Sequence, residues 1–189
     1  TRVCHSKSLV ELGEREEQPV KRYERNPQKF SATPARAYVK HAEVEQRLLD
    51  LEEYACTSPL NVWEKKGSKI GVITASIAYQ YAKEVFPEDT SFLKLGFTYP
   101  LPMKLIAEFA QSVETLYVIE ELEPFMEEQI RAAGIACHGK DCIPRMYELN
   151  PEIVRAGVFG QKAETKTVDA EAVGRPPVLC PGCPHRGFF

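Results

Sequence analysis

The stretch Lys69-Ile-Gly-Val-Ile-Thr-Ala-Ser76 decides the fold of this 189-residue chain. Its β-branched and apolar residues form a run of the length expected for a strand that is buried on both faces. The ten residues that follow place apolar side chains at helical spacing: Ala78, Tyr81, Ala82 and Val85. We therefore predict a buried strand with a helix packed against it.

The same strand and helix pattern then occurs twice more. Ser91 to Phe97 precedes a helical segment from Pro102 to Val113, and Glu114 to Glu121 precedes another from Pro124 to Gly134. Ile135 to His138 is predicted as a short fourth strand at the edge. Alternating strands and helices are typical of an α/β fold, so we expect three layers with a parallel or mixed sheet in the middle.

Two further helices are marked by a capping residue followed by proline. The first begins at Thr33-Pro34, with an apolar stripe that includes Val44 and Ala55 and has to face a partner surface. The second begins at Asn150-Pro151, and its end is predicted at either Gly157 or Gly160. Trp63, in the connector before the first strand, is interpreted as packing that loop onto the domain rather than as a ligand platform.

Composition excludes several classes of protein. The net charge of −3 and the lack of a basic block with interleaved aromatic residues argue against nucleic-acid binding. No apolar run reaches about 18 residues and no signal-like segment occurs, so we expect no membrane partner and a cytoplasmic location. The six cysteines are scattered, and we interpret them as thiols or ligands. Because the chain starts at Thr1 and stops at Phe189 within an apolar run, it is expected to be a segment of a longer protein.

The carboxyl ends of the predicted strands are where an open parallel sheet binds ligands. Neither common phosphate-binding loop occurs there, which leaves a nucleotide site unsupported. Glu120, Glu121 and Glu123 could transfer protons or bind Mg²⁺, but carboxylates before a helix are also favoured by its dipole. We prefer that structural interpretation, and an autonomous enzyme that uses Glu120 and Glu121 is the weakest hypothesis.

Three groups of residues could bind metal. Cys4-His5 has no second pair nearby, and Cys137-His138 with Cys142 is more simply a buried thiol beside an exposed histidine. The tail is more specific, because Cys180-Pro-Gly-Cys183 with His185 lets two sulfur atoms face one metal or cluster. It is half a site, since no second CxxC occurs in the chain.

The ordered motifs resemble the alpha subunits of indolepyruvate:ferredoxin oxidoreductases, within the 2-oxoacid:ferredoxin oxidoreductase family. The resemblance covers nearly the whole chain and is carried by five segments: Thr1 to Ser6, Ile70 to Tyr81, Leu95 to Pro102, Val118 to Phe125, and Leu179 to Gly187. That family decarboxylates arylpyruvates with thiamine diphosphate, Mg²⁺ and coenzyme A. It passes electrons through iron–sulfur clusters to ferredoxin, and it includes a beta subunit.

The resemblance implies a division of the chain into four parts. Residues 1–30 would end an upstream pyrimidine-binding domain, and 31–160 would form a domain similar to the C-terminal domain of transketolase. Residues 161–178 would be a linker, and 179–189 would begin the thiamine diphosphate-binding domain. The middle domain would brace its neighbouring domains without binding a cofactor itself.

The resemblance also limits what this chain can do. Neither the GDG motif for the Mg²⁺–diphosphate nor the CxxCxxCxxxC cluster motif occurs. We therefore expect no catalytic residue and no cofactor in the isolated chain. Cys183 and His185 are carried over as cofactor-contacting residues, and Cys180 and Cys183 as metal ligands. Ser76 departs from the family, which is expected to have glycine there. The alternative hypothesis is a metal-binding interaction module that uses the CxxC tail.

Overall fold

The computed structural model describes residues 9, 11–162, 179 and 183–187. Residues 11–26 have no helix or strand and are exposed. The strands follow: β1 Val62–Glu64, β2 Ile70–Ala75, β3 Ser91–Leu95 and β4 Thr115–Ile119. The α-helices follow: α1 Pro27–Phe30, α2 Pro34–Thr57, α3 Ser76–Val85, α4 Met103–Gln111, α5 Phe125–Ala132 and α6 Pro151–Phe159. No helix in these residues is both long and apolar enough to cross a membrane.

The four strands form one mixed sheet in the order β1-β3-β2-β4. Strands β3, β2 and β4 are parallel, whereas β1 runs antiparallel to β3. In the register, Ile73 of β2 lies between Leu93 of β3 and Val118 of β4. The predicted α/β fold with a parallel or mixed sheet is confirmed, and the central strand is the stretch that the sequence marks.

Helices cover both faces of the sheet. On one face, Ile73 and Val118 pack with buried residues of α4 and α5 such as Phe109 and Met126. On the other face, Val72 packs with residues of α3 and α6, including Val154. Neighbouring residues of β2 thus enter opposite cores, because successive side chains of a strand point to opposite faces.

Two strand assignments at the edges of the sheet differ from the sequence prediction. The predicted length of the fourth strand, Ile135 to His138, is wrong. This segment makes one parallel bridge, between His138 and Tyr117. Immediately afterwards Gly139 and Lys140 pack against Glu127 of α5. Strand β1 lies in a segment that the sequence predicts to be a connector, since three residues are too few to reveal an alternating pattern.

Trp63 belongs to β1 and packs as predicted. Its ring meets Phe109 edge-on, with centroids 5.5 Å apart, and it lies against the core that α4 and α5 cover. The ring therefore joins the edge strand to the core.

Both helices that are predicted from a capping residue followed by proline are present, but the capping residue makes a hydrogen bond in α6 and not in α2. Asn150 caps α6 as expected, since its side-chain oxygen accepts from the Ile153 amide at 2.9 Å. Gly160, at φ +68°, ends that helix, which resolves the choice between Gly157 and Gly160. Thr33 precedes α2 in an extended conformation, but its hydroxyl makes no capping bond. Proline at the first turn fixes that start without the expected cap.

Candidate functional site

The carboxyl ends of β2, β3 and β4 lie at one edge of the sheet, where an open α/β fold would bind a ligand. The turn from β2 into α3 passes through Ser76, which is exposed and has φ +53°. This left-handed conformation is costly for a residue with a Cβ and suits glycine. The expectation of glycine from the family resemblance thus has a structural basis in the backbone of this turn.

We predict that Ser76→Gly stabilises the chain by about 0.5–1 kcal/mol, because the relief of left-handed strain exceeds the added backbone entropy of the unfolded state. Urea denaturation would measure the difference in the free energy of unfolding. Ser76→Ala is the matched control, since it keeps the Cβ and should bring no gain. An equal gain from both variants would show that the serine hydroxyl, not the backbone, is responsible.

Glu120 closes the carboxyl end of β4. The backbone N–H groups of Met126 and Glu127, in the first turn of α5, each donate to its carboxylate at 2.9 Å. Glu120 is only 7% exposed, and the Lys140 ammonium donates to its backbone oxygen at 2.5 Å. Helix amides at a strand end are where a phosphate would bind in this fold. Here the chain's own carboxylate occupies them, so this end does not fit a diphosphate.

Glu127 extends the network from the first turn of α5. Its carboxylate accepts from the Arg131 guanidinium at 2.9 Å and from the Lys140 amide at 2.8 Å, and the residue is 4% exposed. Gly139 lies so close that an added Cβ would be 2.3 Å from Glu127 Oε2. This arrangement is not evident from the sequence. The adjacent Gly139-Lys140 pair is the one local feature of the sequence that marks this contact, because its partner Glu127 is twelve or more residues away.

The other two candidate carboxylates also make structural contacts. Glu121 accepts from the Leu149 amide at 2.9 Å, and Glu123 forms an exposed ion pair with Arg145. The three acids therefore do not converge on one point. This agrees with the structural interpretation of the cluster and gives the autonomous enzyme hypothesis no support.

Burial raises the pKa of Glu120 above its ordinary value of 4.5, although the amides of Met126 and Glu127 oppose the rise. For an acid with a raised folded pKa, the stabilising contribution is complete below the unfolded pKa. It is lost as pH rises through the folded pKa. The ionised form of Glu120 is thus the less favourable one for folding.

We predict that wild-type stability, measured relative to Glu120→Gln, falls as pH rises above the ordinary pKa of a glutamate and through the raised pKa of Glu120. Urea denaturation across this range would measure the difference, and glutamine isolates it because the amide does not titrate. Glu128→Gln, on the exposed side of the same helix, is the control and should leave the pH dependence unchanged. A difference that stays constant or rises with pH would contradict the assignment.

The turn between α5 and α6 holds one of the three predicted groups of possible metal ligands. His138 Nδ1 lies 2.8 Å from Asp141 Oδ2, and both side chains are about half exposed. Burial raises the pKa of Cys137 and raises that of Cys142 to about 11, so both thiols stay protonated near neutral pH. Within the part of the chain that the structure describes, no three His, Cys, Asp or Glu side chains could share a metal.

The tail residues are only partly described. Cys183 Sγ lies 3.6 Å from His185 Nδ1, at a short 3₁₀ helix, Pro184–Gly187. Cys180 and Cys4-His5 fall outside the described residues. Thiolate and imidazole at this spacing suit a metal or cluster edge, but two donors leave coordination incomplete. The assignment of Cys180, Cys183 and His185 stays a prediction.

The chain is similar over its whole length to three curated archaeal proteins that are each named indolepyruvate oxidoreductase subunit IorA. The identities are 39% for Methanothermobacter marburgensis, 34% for Archaeoglobus fulgidus and 31% for Thermococcus kodakarensis. In each case the chain spans 34% of the relative, about a third of its length. These relatives confirm the resemblance that the motifs carry.

Structural comparison confirms the fold class. A 2-oxoglutarate:ferredoxin oxidoreductase from Magnetococcus marinus, solved with 2-oxoglutarate, coenzyme A and succinyl-CoA bound, matches with a TM-score of 0.50. The match covers 68% of this chain and 23% of that one, at 14% identity. Identity this low supports the fold alone. No family model matches the chain.

Proposed function

We infer that the chain belongs to the alpha subunits of indolepyruvate oxidoreductases and forms about a third of such a subunit. We propose that the complete enzyme oxidatively decarboxylates indolepyruvate or a related arylpyruvate to an aryl-acetyl-CoA. In this proposal it uses thiamine diphosphate, Mg²⁺, coenzyme A and iron–sulfur clusters, with a beta subunit and ferredoxin as partners, in the cytoplasm. This segment is the bracing middle domain and is inactive by itself.

The arrangement at the carboxyl end of β4 is the observation that supports a bracing role. The amides that could hold a diphosphate already bind Glu120, and the nearby cations are engaged: Lys140 contacts Glu120 and Arg131 contacts Glu127. Because the polar groups at the end of β4 are hydrogen-bonded to side chains of the chain itself, the loops there are held in place without a ligand. This supports a structural part for the segment within a larger cofactor-binding protein.

The proposed division of the chain follows the sequence motifs. Residues 31–160 form the bracing domain, similar to the C-terminal domain of transketolase, and 1–30 and 161–178 connect it to its neighbours. Residues 179–189 open the thiamine diphosphate-binding domain, where Cys183 and His185 face the cofactor. The last helix of the layered core, α6, ends at Phe159, close to the proposed boundary.

Isothermal titration calorimetry with thiamine diphosphate and Mg²⁺ tests the proposal. The 189-residue chain should give no binding heat, whereas the complete subunit should bind. A cooperative thermal melt of the same chain preparation provides the control that it is folded. Saturable binding by the chain alone, or none by the complete subunit, would contradict the proposal.

A metal-binding interaction module is the second candidate. The 3.6 Å contact between Cys183 Sγ and His185 Nδ1 favours it, because two metal ligands would lie side by side. Elemental analysis of purified chain should then find stoichiometric zinc that is lost on Cys183→Ala. Cys56→Ala, at a cysteine in α2 away from the tail, is the matched control and should retain zinc. Metal-free protein would remove this candidate.

A further inference from the structure

Helix α2 extends well beyond the layered core. Its 24 residues span about 36 Å, yet Ala55, near its end, is its one buried residue. Two side chains in the first turns of α2 donate hydrogen bonds to backbone carbonyl groups of α1. Arg36 donates to the Pro27 carbonyl at 2.8 Å, and Lys40 donates to the Lys29 carbonyl. Residues 34–47 of α2 therefore form an arm with α1 that the core does not cover.

The arm exposes large apolar side chains. Tyr38 is 86% exposed, Phe30 65% and Val39 61%. Most of the stability of a helix in a protein comes from packing its apolar side chains, so side chains this exposed favour a covering surface. The sequence predicts that the apolar stripe of α2 faces a partner surface. This stripe is uncovered at Val44, which is 42% exposed.

A groove of about 760 Å³ lies between α1 and this part of α2. Val39 and Val44 contribute its apolar part. Among the described residues that line the groove, the one acid is Glu43. The four cations among these residues are Lys29, Arg36, Lys40 and Arg47. An apolar groove with a positive rim fits an element that carries acidic side chains around an apolar centre.

We propose that the arm and its groove dock an acidic element of the same subunit that lies outside this chain. The inference rests on the proposed function, since the relatives are about three times as long and match the whole of this chain within a third of their length. Covalent connection favours this occupant, because it gives the neighbouring domain a high effective concentration at the groove. The positive rim selects which surface of that domain docks.

Hydrogen–deuterium exchange tests the docking in the complete subunit. Amides of residues 34–47 should exchange at least about tenfold more slowly there than in the 189-residue chain. Val39→Asp and Arg47→Glu in the complete subunit should restore fast exchange, because they remove the apolar and the electrostatic contact. Lys104→Glu, an equal charge reversal at an exposed position of α4, is the matched control and should leave the protection unchanged.

Two results would overturn the inference. Equal exchange of residues 34–47 in the chain and in the complete subunit would show that nothing of the subunit covers the arm. Protection in the isolated chain that grows with its concentration would assign the face to a second copy. Thiamine diphosphate binding, measured on the same complete subunit, separates the two proposals: a subunit without binding contradicts the proposed function but leaves the exchange result to decide the docking.

Discussion

Val118→Asp is expected to abolish the folded state of the chain. Val118 is 1% exposed, lies beside Ile73 in the sheet, and belongs to the core that α4 and α5 cover. A carboxylate at this position would lose its hydration without gaining a partner, which costs several kcal/mol in addition to the lost apolar burial. Domains of this kind are stable by only about 5–15 kcal/mol. Circular dichroism during thermal denaturation should show no cooperative transition.

Val118→Ala separates the effect of charge from the loss of volume. It removes two methyl groups and should cost about 1–3 kcal/mol while the cooperative transition remains. Gln111→Asp introduces the same carboxylate at an exposed position at the end of α4 and should cost at most about 1 kcal/mol, through the dipole of that helix. A soluble Val118→Asp variant that melts cooperatively would mean that β4 is not a core strand.

The local pattern of the sequence is sufficient to predict the central part of the fold. In β2, Val72 and Ile73 are both fully buried on opposite faces, and a continuous apolar run indicates this arrangement without knowledge of any neighbour. The edges of the sheet carry weaker signals. Strand β1 has three residues, and its pairing with β3 depends on a partner about 30 positions away, so no local period reveals it.

The sequence predicts some of the residues at the candidate site, but not how they are arranged in the folded chain. The position of Glu120 before a helix indicated a capping role, and the structure gives it the amides of α5. Glu127 was indistinguishable from an ordinary solvent-facing glutamate of that helix. Its burial depends on Lys140 and Gly139, thirteen and twelve residues further along the chain, which pack against it in the folded state. Contacts of this kind come from tertiary structure, which residue spacing does not encode.

Gly157 illustrates a conflict between local propensity and tertiary packing. It lies inside α6, where alanine would ordinarily stabilise a helix by about 1 kcal/mol relative to glycine. A Cβ at this position would, however, lie 2.1 Å from the Cys142 carbonyl oxygen. That oxygen belongs to the backbone of the turn between α5 and α6, next to the buried Ile143, so it has little freedom to move.

Gly157→Ala is therefore expected to destabilise the chain by about 1–3 kcal/mol, the usual cost of overpacking, despite the gain in helix propensity. The clash should push α6 away from the turn and loosen Val154, which is fully buried against α3 and the sheet. Urea denaturation would measure the change in the free energy of unfolding. Gly13→Ala is the matched control, because nothing lies within 4 Å of a Cβ there, and its effect should stay within about 0.5 kcal/mol. A stabilised Gly157→Ala variant would mean that propensity decides at this position, and that α6 packs less closely against the turn than the structure indicates.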